Sequence, residues 1–252
     1  MNFSRNVATV TELPVGADRV TLAYSRVYNA VSQTVWFQVE EGGRIGDMYG
    51  TGYAKDENGN FIINSDGLYT VDNTLKKLGN YNPDFIIGWI NNLSYKNFDF
   101  SFVLDWRQGG EIVSRTQALG GGSGQLIETE SRPEAGIIAE GVTETGEVNT
   151  VAVSAESYYR TFYNRNHEEN NTLDASFVKL REMRLSYTFP DNSRLKGLKI
   201  ALIGKNLWVY APEIKHFDPE QIAFQGQGFV SGVEDMSYPS TRSFGLSLGF
   251  DF

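Results

Sequence analysis

Large apolar residues alternate with small or polar residues along several segments of this chain. The pattern is clearest over residues 243–252, where every even position is Phe or Leu and every odd position is Ser, Gly or Asp. Because successive side chains of a strand point to opposite faces, this segment is predicted to be a β-strand with one apolar face. Such strands are typical of transmembrane β-barrels, although the edge of a soluble β-sandwich could show the same pattern.

The same alternation predicts five other strands, separated by links of very different lengths. These strands are predicted over residues 3–13, 85–95, 98–106, 177–189 and 198–210. Residues 96–97 and 190–197 form short links, whereas 14–84, 109–176 and 211–240 are predicted to be long polar loops. Loops of this length are uncommon inside compact soluble domains, but short turns that alternate with long loops are typical of outer-membrane barrels.

Aromatic residues concentrate at the two ends of the predicted strands. Those near the short turns are Tyr95, Phe98, Tyr187, Phe189, Phe250 and Phe252, and those near the long loops are Phe85, Trp106, Phe177, Trp208 and Tyr210. Two aromatic belts that flank an aliphatic band are typical of membrane-spanning barrels. Aromatic residues are also common in strands of any kind, which is the alternative interpretation.

The predicted fold class is all-β, an antiparallel transmembrane β-barrel segment with long extracellular loops. About six strands cannot close a membrane barrel, which needs at least eight, and an open sheet would leave unpaired edges in lipid. The first residues show neither the basic nor the apolar region of a signal peptide. We therefore expect residues 1–252 to be the C-terminal part of a larger barrel, with the other strands outside this chain.

Composition removes several classes of function. The formal net charge is −9, so no nucleic-acid partner is expected, and the chain has no cysteine. His167 and His216 are the only histidines, and both are predicted to be solvated loop residues without metal-ligand spacing. We expect no catalytic residue, no cofactor and no metal, and therefore no enzyme.

Two short motifs suggest chemistry but are better explained as turns. Residues 56–60 resemble the start of a calcium loop, yet Gly67 stands where the bidentate Glu of such a loop belongs. An Asn-Gly turn that joins residues 52–55 to 61–63 is predicted instead. The glycine-rich segment 120–124 matches neither a nucleophile elbow nor a phosphate loop, and it is predicted to be a flexible loop tip.

Four segments, taken in order and spacing, resemble the C-terminal end of the SusC/RagA family of TonB-dependent outer-membrane transporters. They are residues 78–85 with 95–100 (LGNYNPDF, YKNFDF), 174–181 with 185–190 (DASFVKLR, LSYTFP), 204–208 with 217–220 (GKNLW, FDPE), and 238–244 (YPSTRSF) with Phe252. The resemblance implies a barrel of about 22 strands with a plug and a TonB box, both outside this chain. It also implies a SusD-like lipoprotein lid, TonB-driven import of glycans or peptides, and location in the Gram-negative outer membrane.

The resemblance and the residue pattern together nominate two groups of site residues. Leu248, Phe250 and Phe252 are expected to form the signal that the barrel-assembly machinery recognises by strand addition, while their apolar face contacts outer-membrane lipid. Six loop aromatics are expected either to contact the lid or substrate or to pack together: Tyr158, Tyr159, Phe162, Tyr163, Phe224 and Phe229. Two other functions stay open, namely a secreted all-β carbohydrate-binding module or hydrolase, and a passive porin or adhesin barrel.

Overall fold

The computed structural model describes residues 1–26, 34–221 and 231–250. Its elements in chain order are β1 (Asn2–Ser4), β2 (Arg19–Arg26), β3 (Thr34–Glu40), β4 (Asp47–Tyr53), β5 (Ile62–Ile63), β6 (Val71–Asn80), β7 (Phe85–Tyr95), β8 (Phe98–Gln108), β9 (Glu111–Ser114), α1 (Arg115–Gly122), β10 (Ile137–Ile138), β11 (Val142–Thr143), β12 (Ala152–Val153), α2 (Ala155–Phe162), β13 (Thr172–Asp174), β14 (Phe177–Thr188), β15 (Leu198–Tyr210), β16 (Val233–Glu234) and β17 (Ser243–Phe250). Single 3-10 turns cover Ile127–Thr129 and Glu169–Asn171.

The largest element is an antiparallel sheet of six strands in the order β1-β7-β8-β14-β15-β17. It confirms the all-β prediction and four internal predicted strands, with small shifts at two ends. The predicted terminal strand is described as far as Phe250, and Phe252 lies outside the described residues. The strand predicted over 3–13 is wrong in extent, because only Asn2–Ser4 pairs with β7 and the chain then leaves the sheet.

One face of the six-stranded sheet is apolar across every strand. The pairings place Ile87 opposite Trp106 and Leu202 opposite both Leu185 and Leu246, so that large apolar side chains adjoin from strand to strand. Leu202 and Leu246 keep 60% and 64% of their surface exposed. An exposed apolar surface that crosses a whole sheet marks a membrane or protein contact.

Among the described residues, the aromatic side chains lie at the strand ends where the belt prediction expected them, with one exception, and Phe252 lies outside the described residues. Phe98 and Tyr187 contact each other beside the short turns with ring centroids 4.7 Å apart, and Phe85 contacts Trp106 at 5.1 Å at the opposite end. Phe177 is the exception, because it pairs with Arg107 on the polar face and is buried. The belt assignment of Phe177 was therefore wrong.

A β-bulge at Arg181 explains why the alternation of β14 changes phase. Leu180 pairs with Leu104 and Glu182 with Val103, so Arg181 is an extra residue with no partner in register on β8. Such a bulge restores the apolar side chains that follow it to the outward face. It also leaves the Arg181 side chain on the polar face, where it pairs with Asp105 at 2.7 Å.

Residues 14–84 are not a loop, as the sequence predicted, but include a second sheet in the order β2-β3-β4-β6. Its core contains Val35, Phe37 and Met48, which are almost fully buried. The glycines of β4 concealed this strand from pattern analysis. A Cβ on Gly52 would lie 2.0 Å from the Glu169 carboxylate, so the close approach of that side chain requires glycine at this position.

Residues 109–176 also contain regular structure between the strands. β9 pairs with β13 and, in parallel, with β16, and α1 follows β9 directly. Residues 120–124 are therefore not a flexible tip, because they form the end of α1 and its C-cap, and Gly121 is buried. The predicted turn at 56–60 is confirmed, since the Asp56 amide donates to the Asn60 carbonyl at 2.9 Å and Lys55 pairs with Phe61.

The helices of the described residues are short. Each of α1 and α2 has eight residues, and neither is long and apolar enough to cross a membrane.

Candidate functional site

Helix α2 carries three of the six aromatic residues that the sequence nominated, and a fourth, Tyr163, follows directly at its C-cap. It begins after Ser154, whose hydroxyl accepts from the Ser157 amide at 3.1 Å, and Glu156 in the first turn favours the helix dipole. Phe162 lies four residues after Tyr158, so their rings stack on one helix face with centroids 5.9 Å apart. The sequence therefore brings these aromatics together through helical spacing.

The α2 aromatics pack partly against the rest of the chain. Phe162 and Tyr158 contact the ring of Tyr69, at 5.7 and 6.1 Å between centroids. The Tyr159 hydroxyl donates to the Ser131 carbonyl at 2.9 Å, and Tyr159 is largely buried. Phe224 and Phe229 lie outside the described residues. Contact of the six aromatics with a lid or substrate stays a prediction.

The last turn of α1 forms the opposite wall of a cleft. The Tyr163 ring lies so close to Gly121 that an added Cβ would come within 2.4 Å of it. Glycine at this position therefore allows α1 and the end of α2 to approach each other. The cleft between them has a volume of about 710 Å³, within the range of roughly 300–1,000 Å³ that is usual for small-ligand sites.

The lining of the α1–α2 cleft is polar, positively charged and aromatic. Its charged and aromatic members are Arg132, Glu156, Tyr159, Arg160, Tyr163 and Arg165. Arg160 pairs with Glu156 across one helical turn at 3.1 Å. Arg132 donates instead to the carbonyl oxygens of Thr129 and Gly124.

A buried polar cluster joins β4 to the chain that follows α2. His167 is not solvated, as the sequence predicted, because its Nδ1 lies 2.9 Å from the Thr51 hydroxyl and its ring packs on Tyr53. Burial lowers the pKa of His167, and Lys76 lowers it further. Glu169 accepts from the Tyr53 amide at 3.0 Å and pairs with Lys55 and Lys76, which hold its pKa below the ordinary value despite partial burial.

Glu168, in the same cluster, is held in the opposite protonation state. Its backbone amide donates to the Thr51 carbonyl at 3.1 Å, and its carboxylate accepts from the Thr51 amide at 3.3 Å. Burial nevertheless raises the pKa of Glu168 from 4.5 to about 8. Desolvation outweighs the hydrogen bonds from Thr51 and from the Glu168 amide, as well as the field of Arg115, because the side chain is almost fully buried.

His216 is also paired rather than solvated, which corrects the second histidine prediction. Its Nε2 lies 2.8 Å from a Glu128 carboxylate oxygen, and Lys215 reaches the other oxygen at 3.3 Å. These contacts hold the pKa of Glu128 below its ordinary value, although burial opposes the shift. They tie the segment after β15 to the loop beside the cleft.

Ion pairs on the polar face of the six-stranded sheet hold the segment after β15 against that sheet. Lys179, on β14, is buried and contacts the carboxylates of Asp218 and Glu220. Arg181, the extra residue of the β-bulge, also contacts Glu220. Because Arg181 contacts Asp105 as well, it links Glu220 to β8. Residues 218–220 (DPE) of the family-like motif therefore anchor the segment after β15 to β14, and Arg181 extends the ion pairs to β8.

Sequence reasoning missed two determinants of the cleft. Glu234 is fully buried and accepts from the Thr116 amide and hydroxyl at the start of α1, at 3.2 and 2.6 Å. Arg132 was missed because it lies in an irregular stretch without periodicity. In the sequence, Glu234 is an isolated acidic residue after a loop, and Arg132 is an arginine near Gly124. Neither pattern is specific for a cleft.

The predicted assembly residues lie on the outward face as far as the structure describes them. Leu248 pairs with Ile200 and Phe250 with Leu198, and both remain more than half exposed. Over residues 1–26, 34–221 and 231–250, no three His, Asp or Glu side chains converge as metal ligands.

The relatives found by comparison with known proteins include several that are named TonB-dependent receptors. No protein-family model matches the chain. TonB-dependent receptor P26 of Formosa agariphila is 30% identical over 204 residues, which cover 78% of this chain and 19% of that protein. TonB-dependent receptor P3 of the same organism is 26% identical, covering 100% of this chain and 26% of that protein. The chain thus spans about a fifth to a quarter of the length of these relatives.

Solved structures share the fold. The RagAB peptide transporter matches with a TM-score of 0.59 and 17% identity, covering 98% of this chain and 26% of that one. The RagAB peptide importer in its closed-closed state matches with a TM-score of 0.58 over the same shares. The relatives are named receptors and transporters rather than enzymes, in agreement with the expectation for this chain.

Proposed function

Because this chain belongs to the TonB-dependent receptors of the SusC/RagA class, we propose that residues 1–252 form the C-terminal part of an outer-membrane barrel that imports glycans or peptides. In this proposal the six-stranded sheet is a portion of the barrel wall, and the second sheet with α1 and α2 forms its extracellular layer. The observation that carries the proposal is the division of the main sheet into one apolar and one charged face.

The two faces fit lipid on the outside and a lumen on the inside. Strands β7, β8, β14 and β15 have 11 to 13 residues, enough for a tilted strand of roughly 9–11 residues to cross the hydrocarbon. On the inner face, Lys205 of β15 pairs with Glu182 of the neighbouring β14, and Lys199 of β15 reaches across β14 to Asp99 of β8. Such pairs suit a water-filled or plugged interior.

The proposed partners follow from the class and from the surfaces. A SusD-like lipoprotein would cover the extracellular layer, and TonB would act through a part of the receptor outside this chain. The barrel-assembly machinery would bind the apolar edge of β17 together with Phe252. A deletion of Phe252 in the full-length receptor should reduce outer-membrane insertion, and unchanged insertion would contradict this role.

A secreted carbohydrate-binding module fits the structure less well. Such a module would cover the apolar face of the main sheet with a second sheet. In the described residues, the second sheet packs instead beside β9 and β16, and Leu202, Leu246 and Leu248 stay exposed. A passive barrel shares the two-faced sheet but not the relatives named as TonB-dependent receptors.

The absence of cysteine from this chain allows a direct test of the two faces. Adjacent residues Leu246→Cys and Ser247→Cys are introduced one at a time into the full-length receptor in intact outer membranes. If the receptor has native cysteines elsewhere, they are first replaced by serine. We expect a water-soluble maleimide to label Cys at 247 and not at 246, and lipid-borne quenchers to show the reverse. Equal aqueous labelling of both positions would refute the wall assignment.

A further inference from the structure

The two short links of the six-stranded sheet lie next to each other at one end of its strands. Residues 96–97 join β7 to β8, and residues 190–197 lie between β14 and β15. The Thr188 amide donates to the Asn97 carbonyl at 2.9 Å, so the second link begins beside the first. These two links together are the short-turn end of the sheet.

The short-turn end reverses the charge balance of the chain. It holds three cations, Lys96, Arg194 and Lys196, against one acid, Asp191. Lys196 and Asp191 form an exposed pair at 3.5 Å, whereas Arg194 is exposed and forms no ion pair with any described residue. The chain as a whole carries a formal charge of −9. A local excess of positive charge in an acidic chain attracts anions to this end of the sheet.

Lys96 occupies a backbone position that favours glycine. Its φ is +54°, in the left-handed region, and it is the first residue of a two-residue link between the paired residues Tyr95 and Phe98. Such links favour Gly, Asn or Asp, because a larger side chain is strained there. Strained residues of this kind cluster at functional sites. The Lys96 ammonium lies 5.3 Å from the centre of the Tyr95 ring.

These cations adjoin the aromatic end of the apolar face. Tyr95 and Phe98 are both exposed, and the Tyr187 ring contacts those of Phe98 and Phe189 at 4.7 and 5.1 Å between centroids. Aromatic rings at the end of a membrane-spanning strand lie at the level of the lipid head groups. Lysine and arginine side chains beside them run along apolar surface and keep their charge in water. At this level the nearest anions are lipid phosphates, to which arginine offers paired N–H groups and lysine a point charge.

We propose that the short-turn end binds the phosphate of an anionic phospholipid head group, with Lys96 and Arg194 as the contacting cations. The inference rests on the proposed wall of the barrel, to which it adds a preference among lipids in the leaflet beside the short turns. Lys196 contributes less, because Asp191 compensates its charge. A zwitterionic head group fits less well, because its own cation would face Lys96 and Arg194.

The test uses the full-length receptor reconstituted in phosphatidylcholine vesicles. Asn192→Cys carries a bimane fluorophore, because Asn192 is exposed in the second link and residues 1–252 contain no cysteine. Any cysteine elsewhere in the receptor is first replaced by serine. Quenching of the fluorophore is compared for vesicles that contain a minor fraction of brominated phosphatidylglycerol, phosphatidylethanolamine or phosphatidylcholine.

Four substitutions separate the charge of the short-turn end from its folding. Lys96→Gly removes a cation and suits the φ of +54°, so the link should form as before. Lys96→Arg keeps the charge, and Arg194→Gln removes the second unpaired cation. Arg160→Gln is the matched control, because Arg160 is an exposed arginine on α2, in the segment that leaves the sheet at the opposite ends of the strands.

We expect phosphatidylglycerol to be enriched at the label over phosphatidylcholine by about fivefold for each contacting cation. Lys96→Gly and Arg194→Gln should each lower this enrichment about fivefold, whereas Lys96→Arg and Arg160→Gln should leave it unchanged. Added salt should also lower the enrichment, because it screens exposed charges.

Equal quenching by phosphatidylglycerol and phosphatidylcholine would overturn the inference, and so would an equal enrichment of phosphatidylethanolamine. An unchanged preference in both Lys96→Gly and Arg194→Gln would do the same, as would an equal loss in Arg160→Gln, which would assign the effect to the net charge of the receptor. Failure of the wall proposal is distinct, because it would appear as aqueous labelling at position 246 in the cysteine test. A receptor that passes that test without a lipid preference keeps its proposed function and loses this site.

Discussion

The opposite protonation of two adjacent carboxylates gives a prediction with a defined pH window. The pKa of Glu168 is raised to about 8, whereas that of Glu169 is lowered. Between pH 4.5 and 8 the folded layer keeps the Glu168 proton and the unfolded layer loses it. The stability of the layer formed by the second sheet with α1 and α2 must therefore fall across this window as pH rises, and stay level above it.

The substitution Glu168→Gln should remove this dependence, because the amide oxygen can still accept from the Thr51 amide. One pH unit of such a shift is equivalent to about 1.4 kcal/mol, so the variant should be more stable by several kcal/mol near pH 8 and similar near pH 4.5. Glu169→Gln is the control with the opposite sign. Loss of its pairs with Lys55 and Lys76 should destabilise the layer near neutral pH.

Hydrogen exchange measured by mass spectrometry on the full-length receptor checks this reasoning. The peptide that covers β4 contains the amides of Thr51 and Tyr53, which the two carboxylates accept. At pH 7.5 these amides should exchange at least tenfold more slowly in Glu168→Gln than in the unaltered receptor, and at similar rates at pH 5. Equal rates at pH 7.5, or the same gain at both pH values, would refute the assignment of a raised pKa.

Three further substitutions test packing, charge burial and the apolar face of the main sheet. Gly52→Ala should destabilise the second sheet by about 1–3 kcal/mol, because the added Cβ overlaps the Glu169 carboxylate; earlier thermal unfolding of that sheet is the measurement. Lys179→Met leaves Asp218 buried without its partner and should cost about 3–5 kcal/mol, whereas the double variant with Asp218→Leu should recover much of this; limited proteolysis of residues 211–221 reports both. Leu246→Arg should lower barrel assembly at a cost of about 2–4 kcal/mol, and Ser247→Arg should not; folded yield in the outer membrane is the measurement.

Each of these substitutions has a result that would contradict it. Unchanged melting of Gly52→Ala would mean that the carboxylate moves aside freely. A double variant no better than Lys179→Met would show that Asp218 is not the cause of the loss. Equal assembly of the two arginine variants would count against a lipid-facing Leu246.

The six-stranded sheet was predictable from the sequence because strand alternation is local information. Residues 198–210 match β15 in full, and the outward side chains of β7 and β8 were assigned correctly. Bulges are not visible in such patterns, which is why Phe177 was placed on the wrong face.

The second sheet with α1 and α2 was not predictable, because its structure depends on contacts between residues that are far apart in the sequence. β4 contains two glycines that accommodate the side chains of Glu168 and Glu169, more than 110 residues away. His167 is buried by Thr51 and Tyr53, which are equally distant. The sequence does show Tyr158 and Phe162 at helical spacing, but the polar residues around them obscure the pattern of a helix.

The position of β9 in the centre of its small sheet has a consequence for the order of assembly. One neighbour of β9 lies about 60 residues later in the chain, and the other, β16, lies 120 residues later. Glu234 of β16 also supplies the carboxylate at the start of α1. Contacts between such remote residues close large loops and form late. The hairpins of the six-stranded sheet can therefore form before β16 has paired, and the cleft between the helices becomes complete only after β16 has joined β9.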